Sequence, residues 1–319
     1  MSKFQQLTRW AACAVIWSAS AGAALAADPI TVIVPFGPGS GTDNMARPLF
    51  DEMSRDLGQP IVIDNRPGAS GMIAAQTAAR AAPNGNTLFF TTNTTQAINP
   101  VLFKKLPYDP VKDFKPVVSI GTSPYLLLVR KDFPANTLAE LLEWVRVNPG
   151  KASYGWGAAV SQMAGANFVK REKLNAVGVP YKSSPQAVTD LIGGQLTFTF
   201  LDLAAAVPIV KSDRVKALLI TSAHRFDTLP SVPTAAEAGL KDFDVAAWFG
   251  IFAPAGTPDD VVKRIADSAV KAAKSPDMLK RLETCCASMV LHGQAFADYV
   301  AKDSAKWKEW AQIADIKPE

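Results

Sequence analysis

The sequence predicts an α/β fold with parallel strands, and three observations carry that expectation. Short apolar runs, such as Ile30 to Val34 and Leu196 to Leu201, recur along the chain and read as strands. Segments of helical apolar spacing lie between them; the first runs through Met45, Leu49, Met53 and Leu57. The turns that join strand to helix are rich in glycine and other small residues, as in repeated βα units.

The stretch Ile30 to Asp43, reading ITVIVPFGPGSGTD, organises the rest. Pro35 ends the first strand, and Gly37, Gly39 and Gly41 lie in a loop whose backbone N–H groups can come close to a ligand. Thr42 reads as the helix N-cap, with Asp43 in the first turn. The N–H groups of Ser40, Gly41 and Thr42 then have no helical carbonyl to bond, which suits them to an anion. The spacing excludes other readings. No Gly-Lys-Ser/Thr follows the glycines as in a P-loop, and Gly37-x-Gly39-x-Gly41 is not the dinucleotide fingerprint. Pro38 and Thr42 stand where a nucleophile elbow around Ser40 needs glycine. The stretch is read as a small-anion cradle without catalytic machinery; the same residues also suit a tight turn that binds nothing.

The first residues have the form of an export signal. Lys3 and Arg9 are followed by the apolar run Trp10 to Gly22, and Ala24-Leu25-Ala26 places cleavage after Ala26. The run is too short for a membrane span, and Cys13 lacks the setting of a lipoprotein cysteine. A soluble, periplasmic protein is expected, with about two domains' worth of chain on the scale of 100–200 residues each. The composition, 48% hydrophobic and 19% charged with net charge +4, is that of an ordinary globular protein. Its basic residues are scattered, which argues against nucleic-acid binding. The adjacent Cys285 and Cys286 fit either a vicinal disulfide or two packed thiols. No cluster has metal-ligand spacing, and no cofactor is expected.

Further along, Pro60 to Asp64 reads as the second strand, and Asn65 to Gly71 as a second glycine loop before an alanine-rich helix. Thr87 to Thr92 is a strand followed by the polar Asn93-Thr94-Thr95-Gln96. Val117 to Val129, interrupted by Gly121 and Pro124, fits a segment passing between domains. Thr137 with Glu140 makes a capping box for a helix that stops at Pro149-Gly150. Ala152 to Trp156 is a strand leading into the small-residue loop Gly157-Ala158-Ala159. Ser184-Pro185 opens a helix that closes at Gly193-Gly194, and Val215 to Ile220 is a strand. An amphipathic helix opened by Thr257-Pro258-Asp259-Asp260 and a last helix over Gln294 to Ala314 finish the chain.

Taken in order, these segments resemble the periplasmic solute-binding proteins of tripartite tricarboxylate transporters, the Bug or TctC family. The carriers are PFGPGSGTD, DNRPGASG (Asp64 to Gly71), NTTQAINP (Asn93 to Pro100), LPYDPVKDFKPV (Leu106 to Val117), VPYKSSPQAVTDLIGGQLTFTF (Val179 to Phe200), LPSVPTAAEAG (Leu229 to Gly239) and WFGIFAPAGTP (Trp248 to Pro258). The resemblance covers essentially the whole mature chain. It implies a type II periplasmic-binding-protein fold: two α/β lobes joined by two crossover strands, with a ligand cleft between them. It places one lobe at 27–123 and 248–319 and the other at 124–247. It implies a monomer that holds a small organic carboxylate, di- or tricarboxylate or aromatic, for membrane permease subunits. Closure is expected to bring the first glycine loop opposite the loops near Trp156 and Tyr181.

The ligand-binding residues so implied are Phe36, Gly39, Ser40, Gly41, Thr42, Asp43, Thr92, Asn93, Thr94, Gln96, Trp156, Gly157, Ala158, Tyr181, Lys182, Ser183 and Asp202. This chain departs from the family pattern at three of these places. Gln96 replaces a common histidine, Gly157-Ala158-Ala159 lacks a serine, and Tyr181-Lys182-Ser183 has serine where glycine is usual. Each residue also has a plainer reading. Ser40 and Thr42 suit a turn and a cap, and Asp43 suits the charge preference of a first helical turn. Asp202 suits the cap of the next helix, and Lys182 suits an exposed strand end. Phe36 and Trp156 suit either core aromatics or pocket walls, and together with Phe249 they point to a flat, apolar portion of the ligand. The alternative to a binding protein is an exported α/β enzyme with Ser40 as nucleophile. It needs a nearby base, and the two histidines, His224 and His292, lie in segments without a site signature.

Overall fold

A computed structural model describes residues 28–319. The expected signal sequence, its cleavage after Ala26 and Cys13 lie outside the described residues.

The first half of the molecule grows from β1 (Ile30–Val34), β2 (Ile61–Asn65) and β3 (Thr87–Thr92). These three are parallel, with β1 in the middle: Ile30 lies opposite Ile61, and Val32 opposite Leu88. Helix α1 (Gly41–Leu57) returns the chain between β1 and β2, burying Met45, Ala46, Leu49, Phe50 and Met53. It ends at Gly58, whose left-handed backbone (φ 63°) lets its N–H close on the Ser54 carbonyl. Helix α2 (Met72–Ala79) lies between β2 and β3. After β3 the chain makes a π-helical turn (Thr94–Ile98) that runs directly into the short α3 (Asn99–Leu102).

β4 (Phe114–Arg130) is one long strand that contains the apolar stretch Val117 to Val129. Its first part pairs antiparallel with β9 (Ala246–Pro254) and, at Gly121 and Thr122, with the short β10 (Ala287–Ser288). Its second part pairs antiparallel with β7 (Phe198–Asp202) on one side and β8 (Val215–Ile220) on the other. β4 thus runs through both halves.

The second half repeats the βα theme. α4 (Leu138–Val147) precedes β5 (Ala152–Trp156), which is followed by α5 (Ala159–Arg171), β6 (Ala176–Pro180), α6 (Ser184–Ile192) and then β7 and α7 (Leu203–Lys211). β5 is parallel to β6 and to β7, with Tyr154 opposite both Gly178 and Phe198. The complete order is β2-β1-β3-β9-β4-β7-β5-β6. The sheet is therefore mixed, although parallel strands were expected. The inner strands of each half follow the βα rule, whereas β4 and β9 link the halves without a crossover helix and need not be parallel.

Helices α8 (Asp259–Ala273), α9 (Pro276–Cys285) and α10 (Gln294–Ile313) complete the chain. α10 packs on both halves. Phe296 lies edge-on to Trp248 of β9, at 5.3 Å between ring centres, and Trp310 meets Phe243 of the second half at the same separation. Cys285 and Cys286 are buried free thiols with their sulfur atoms 3.2 Å apart, which selects the packed-thiol alternative. No helix among the described residues is long and apolar enough to cross a membrane.

Candidate functional site

The first glycine loop is held from within. The cap of α1 is Ser40, two residues earlier than the sequence suggests: its hydroxyl oxygen accepts from the Asp43 N–H at 3.3 Å. Both Ser40 and Thr42 have the chemistry of a cap, and glycine at 41 allows the helix to begin sooner. Asp43 sits three residues after the cap and turns back on the loop, accepting from the Gly39 N–H at 3.0 Å. It also receives two hydrogen bonds from Arg47 and one from Asn65. Burial opposes ionisation of Asp43, but the hydrogen bonds from Arg47, Gly39 and Asn65 outweigh it and hold its carboxyl below the usual range.

The backbone donors can then be followed one by one. The Ser40 N–H closes the loop onto the Gly37 carbonyl at 3.1 Å, so it is occupied internally. The N–H groups of Gly41 and Thr42 belong to the first turn of α1, where the helix supplies no acceptor. The Gly37 N–H reaches Ser183 on the other half, meeting its hydroxyl oxygen at 3.1 Å. Ser183 precedes α6 yet makes no side-chain cap bond to that helix.

Close approach explains which positions are glycine. A Cβ on Gly41 would lie 1.8 Å from a carboxyl oxygen of Asp202, although Gly41 has ordinary helical backbone. A Cβ on Gly157 would lie 2.0 Å from the backbone nitrogen of Ser184. The Phe36–Asp43 loop, Gly157, Ser183 and Asp202 thus meet at one junction. Asp202 ends β7 and caps α7, accepting from the Ala205 N–H at 3.0 Å. It is buried, and burial dominates the nearby backbone donors, raising it to about 6.

The polar residues after β3 form the second component. Thr92 accepts from the Thr94 N–H, and Tyr108 fixes the π turn by donating to the Thr95 carbonyl at 2.7 Å. Asn93 donates to the Ala246 carbonyl, but its side-chain oxygen has no partner. The Thr94 hydroxyl and both amide atoms of Gln96 are likewise buried and unpaired. Such groups are costly unless water or a ligand satisfies them.

At the mouth between the halves lies a cavity of about 410 Å³. It is lined by Trp156, Gly157, Ala158, Tyr181 and Lys182 from one side and by Ala69, Ser70 and Met72 from the other. Tyr181 gives its hydroxyl to Asp190 at 2.7 Å; burial and then that carboxylate push the phenol up to about 12. Trp156 lies over Gly178, where a Cβ would come within 2.6 Å of its ring. Phe36 is buried, and Phe249 stacks on Phe90 in the core at 6.3 Å, which makes it a core aromatic.

Ala69, Ser70, Phe103 and Gln162, which also border this cavity, were not singled out from sequence. The second glycine loop was the available signal for the first two: it ends the strand beside β1 and therefore opens on the same edge. A larger surface groove of about 950 Å³ lies between α1 and α8, lined by charged residues such as Glu52, Asp56 and Lys271, and shares no residue with the glycine loops. Among the described residues no group of three or more His, Cys, Asp or Glu side chains is placed to hold a metal.

Two α/β halves joined by strands common to both, with small-residue loops meeting between them, define a two-lobed binding protein of the type II periplasmic class. The chain belongs to the Bug/TctC family: the model described as tripartite tricarboxylate transporter family receptor matches residues 45–316. It is 34% identical to protein BugT of Bordetella pertussis over 80% of this chain and 82% of that protein. An R. palustris protein solved with adipate is 32% identical with a TM-score of 0.88, the match covering 91% of this chain and 98% of that one. MatC from Rhodopseudomonas palustris, solved with bound malate, is 35% identical with a TM-score of 0.82, over 88% of this chain and 98% of that one.

Proposed function

We propose that this protein captures a small organic carboxylate in the cleft and delivers it to the permease of a tripartite tricarboxylate transporter. The observation that carries the reading is the junction of the Gly41 and Thr42 N–H groups with the second half. A charged acceptor there gains two backbone hydrogen bonds and the favourable end of the α1 dipole. The unpaired side chains of Thr94 and Gln96 supply further polar contacts, directly or through water. Relatives solved with adipate and malate support a carboxylate as the ligand class. The remaining residues named from sequence, including Trp156, Tyr181 and Lys182, form the outer part of the same site.

In this reading residues 1–26 direct export and the mature chain, a periplasmic monomer, begins at Ala27. The lobes are 27–123 with 248–319, and 124–247, and closing them around β4 and β9 encloses the ligand. A hydrolytic role for Ser40 has less support: its hydroxyl caps α1, His292 borders the groove between α1 and α8, and His224 lines a different groove near Pro124.

The test is a thermal-shift panel of di-, tri- and aromatic carboxylates, followed by calorimetry on the best acid and its primary amide. The acid should stabilise saturably, be recovered unchanged and bind at least about tenfold tighter than the amide, a difference of about 1.4 kcal/mol. Equal binding of acid and amide refutes the anion cradle.

A further inference from the structure

Asp202 stands at the start of two helices. It caps α7 from its own strand, and its carboxyl lies against the α-carbon of Gly41, the first residue of α1. An anion held by the Gly41 and Thr42 N–H groups therefore has this acid as its immediate neighbour. Among the described residues, the donors that favour its charge are backbone N–H groups, those of Ala205, Asp202 and Ala204. The titratable groups that face it are the phenol of Tyr125, opposite it on β4, and the thiol of Cys286 after α9. Both are pushed up by burial and are neutral at physiological pH. On α1, Asp43 is committed to Arg47, Gly39 and Asn65, and Asn44 gives its amide to the Ala204 carbonyl. Arg281 of α9 donates to the Asn44 carbonyl.

Building on the carboxylate reading above, we propose that Asp202 sets the charge this cleft accepts: it becomes protonated as the ligand carboxylate arrives and donates that hydrogen to it, so that each anion captured takes up one proton. Two ionised carboxylates sharing a buried site repel, and one proton between them removes the repulsion and adds a charge-assisted O–H···O bond. Burial alone raises Asp202 to about 6, which leaves it mainly ionised at pH 7 in the empty cleft, and a second negative charge raises its proton affinity further, so that the proton is taken up on binding. The proton comes from solvent, stays between the two acids and returns to solvent on release; no covalent bond to carbon changes.

The experiment is calorimetry with adipate as the probe, with malate as a second, near pH 7 in buffers of different protonation enthalpy. Wild-type protein should take up close to one proton per adipate, and its affinity should fall by up to about tenfold for each pH unit between about 6 and 8. In Asp202→Asn the amide donates without a proton. Linked uptake should vanish, the pH dependence should flatten, and adipate should bind about tenfold or more tighter than to wild type near pH 8. Circular dichroism confirms that the variant is folded. Adipate binding to wild type without proton uptake overturns the proposal. So does a folded Asp202→Asn variant that no longer binds, since that outcome requires an ionised Asp202. Either result leaves the acid-over-amide preference standing, so failure here is distinct from failure of the carboxylate reading.

Discussion

The Ser183 hydroxyl oxygen accepts a hydrogen bond from the Gly37 N–H at 3.1 Å, joining residues 146 positions apart. The bond depends on a serine hydroxyl at this position. It exists only while the two loops are together. Replacing Ser183 by alanine removes about 0.5–1.5 kcal/mol from the closed form alone, which shifts the open-to-closed balance by about two- to tenfold. Small-angle scattering of the ligand-free variant should give a larger radius of gyration than wild type. An unchanged radius would mean that the bond does not contribute to closure.

Gly41 is required by space. Alanine there fits the helical backbone, so Gly41→Ala should leave α1 itself intact. Its methyl group would nonetheless overlap the Asp202 carboxyl and hold the loops apart. The expected outcome is a slightly lowered melting temperature, because the Asp202 cap of α7 is disturbed, with at least about tenfold weaker carboxylate binding by calorimetry. A variant that binds like wild type would show that the junction relaxes freely.

The two acids of the junction contribute to stability with opposite signs. Asp202 has a folded-state pKa of about 6, above its ordinary 3.8, so the folded state binds more protons. Its contribution is fully present at low pH and is lost as pH rises from about 4 to about 6, by at most about 3 kcal/mol. Asp43 is held below its ordinary value, so its contribution is present at neutral pH and lost as pH falls below about 4. Urea unfolding across this range should show the wild type losing stability relative to Asp202→Asn as pH rises, and relative to Asp43→Asn as it falls.

The buried cysteine pair should be inert in the native protein. Burial, followed by the Cys285 thiol, pushes Cys286 well above its ordinary value, so little thiolate is available at neutral pH. A disulfide-exchange reagent should modify less than about one thiol per folded molecule and both after denaturation. Absence of both thiols in the denatured protein would mean that the pair is oxidised.

Much of this arrangement was legible because it is local. A β-branched run, glycines and a polar cap define β1, its loop and α1 within a dozen residues, and the long apolar stretch around Gly121 and Pro124 marked the strand common to both halves. The choice between Ser40 and Thr42 as cap was not legible, since both side chains satisfy the same rule and the outcome depends on where Gly41 enters the helix. Asp202 against Gly41 and Ser183 on Gly37 are tertiary contacts between distant segments, invisible to periodicity. Motif order supplied the candidate residues but not which group each one meets. Phe249 shows the limit from the other side: an aromatic near a loop in sequence faces the core once β9 pairs with β3.

Gln96 separates binding from stability. It is buried in the middle of the π turn, with neither its amide nitrogen nor its amide oxygen hydrogen-bonded. Leaving such a group without a partner costs about 1–3 kcal/mol, whereas a methionine of similar volume carries no such cost. Gln96→Met should therefore keep or raise the melting temperature of the ligand-free protein. If the glutamine serves the ligand, the same change should weaken carboxylate binding by at least about tenfold, because both an amide donor and an amide acceptor are lost. A structural role predicts the opposite pair of results, lower stability with unchanged affinity. Measuring the melting temperature without ligand and the Kd for the best acid on the same preparation decides between the two.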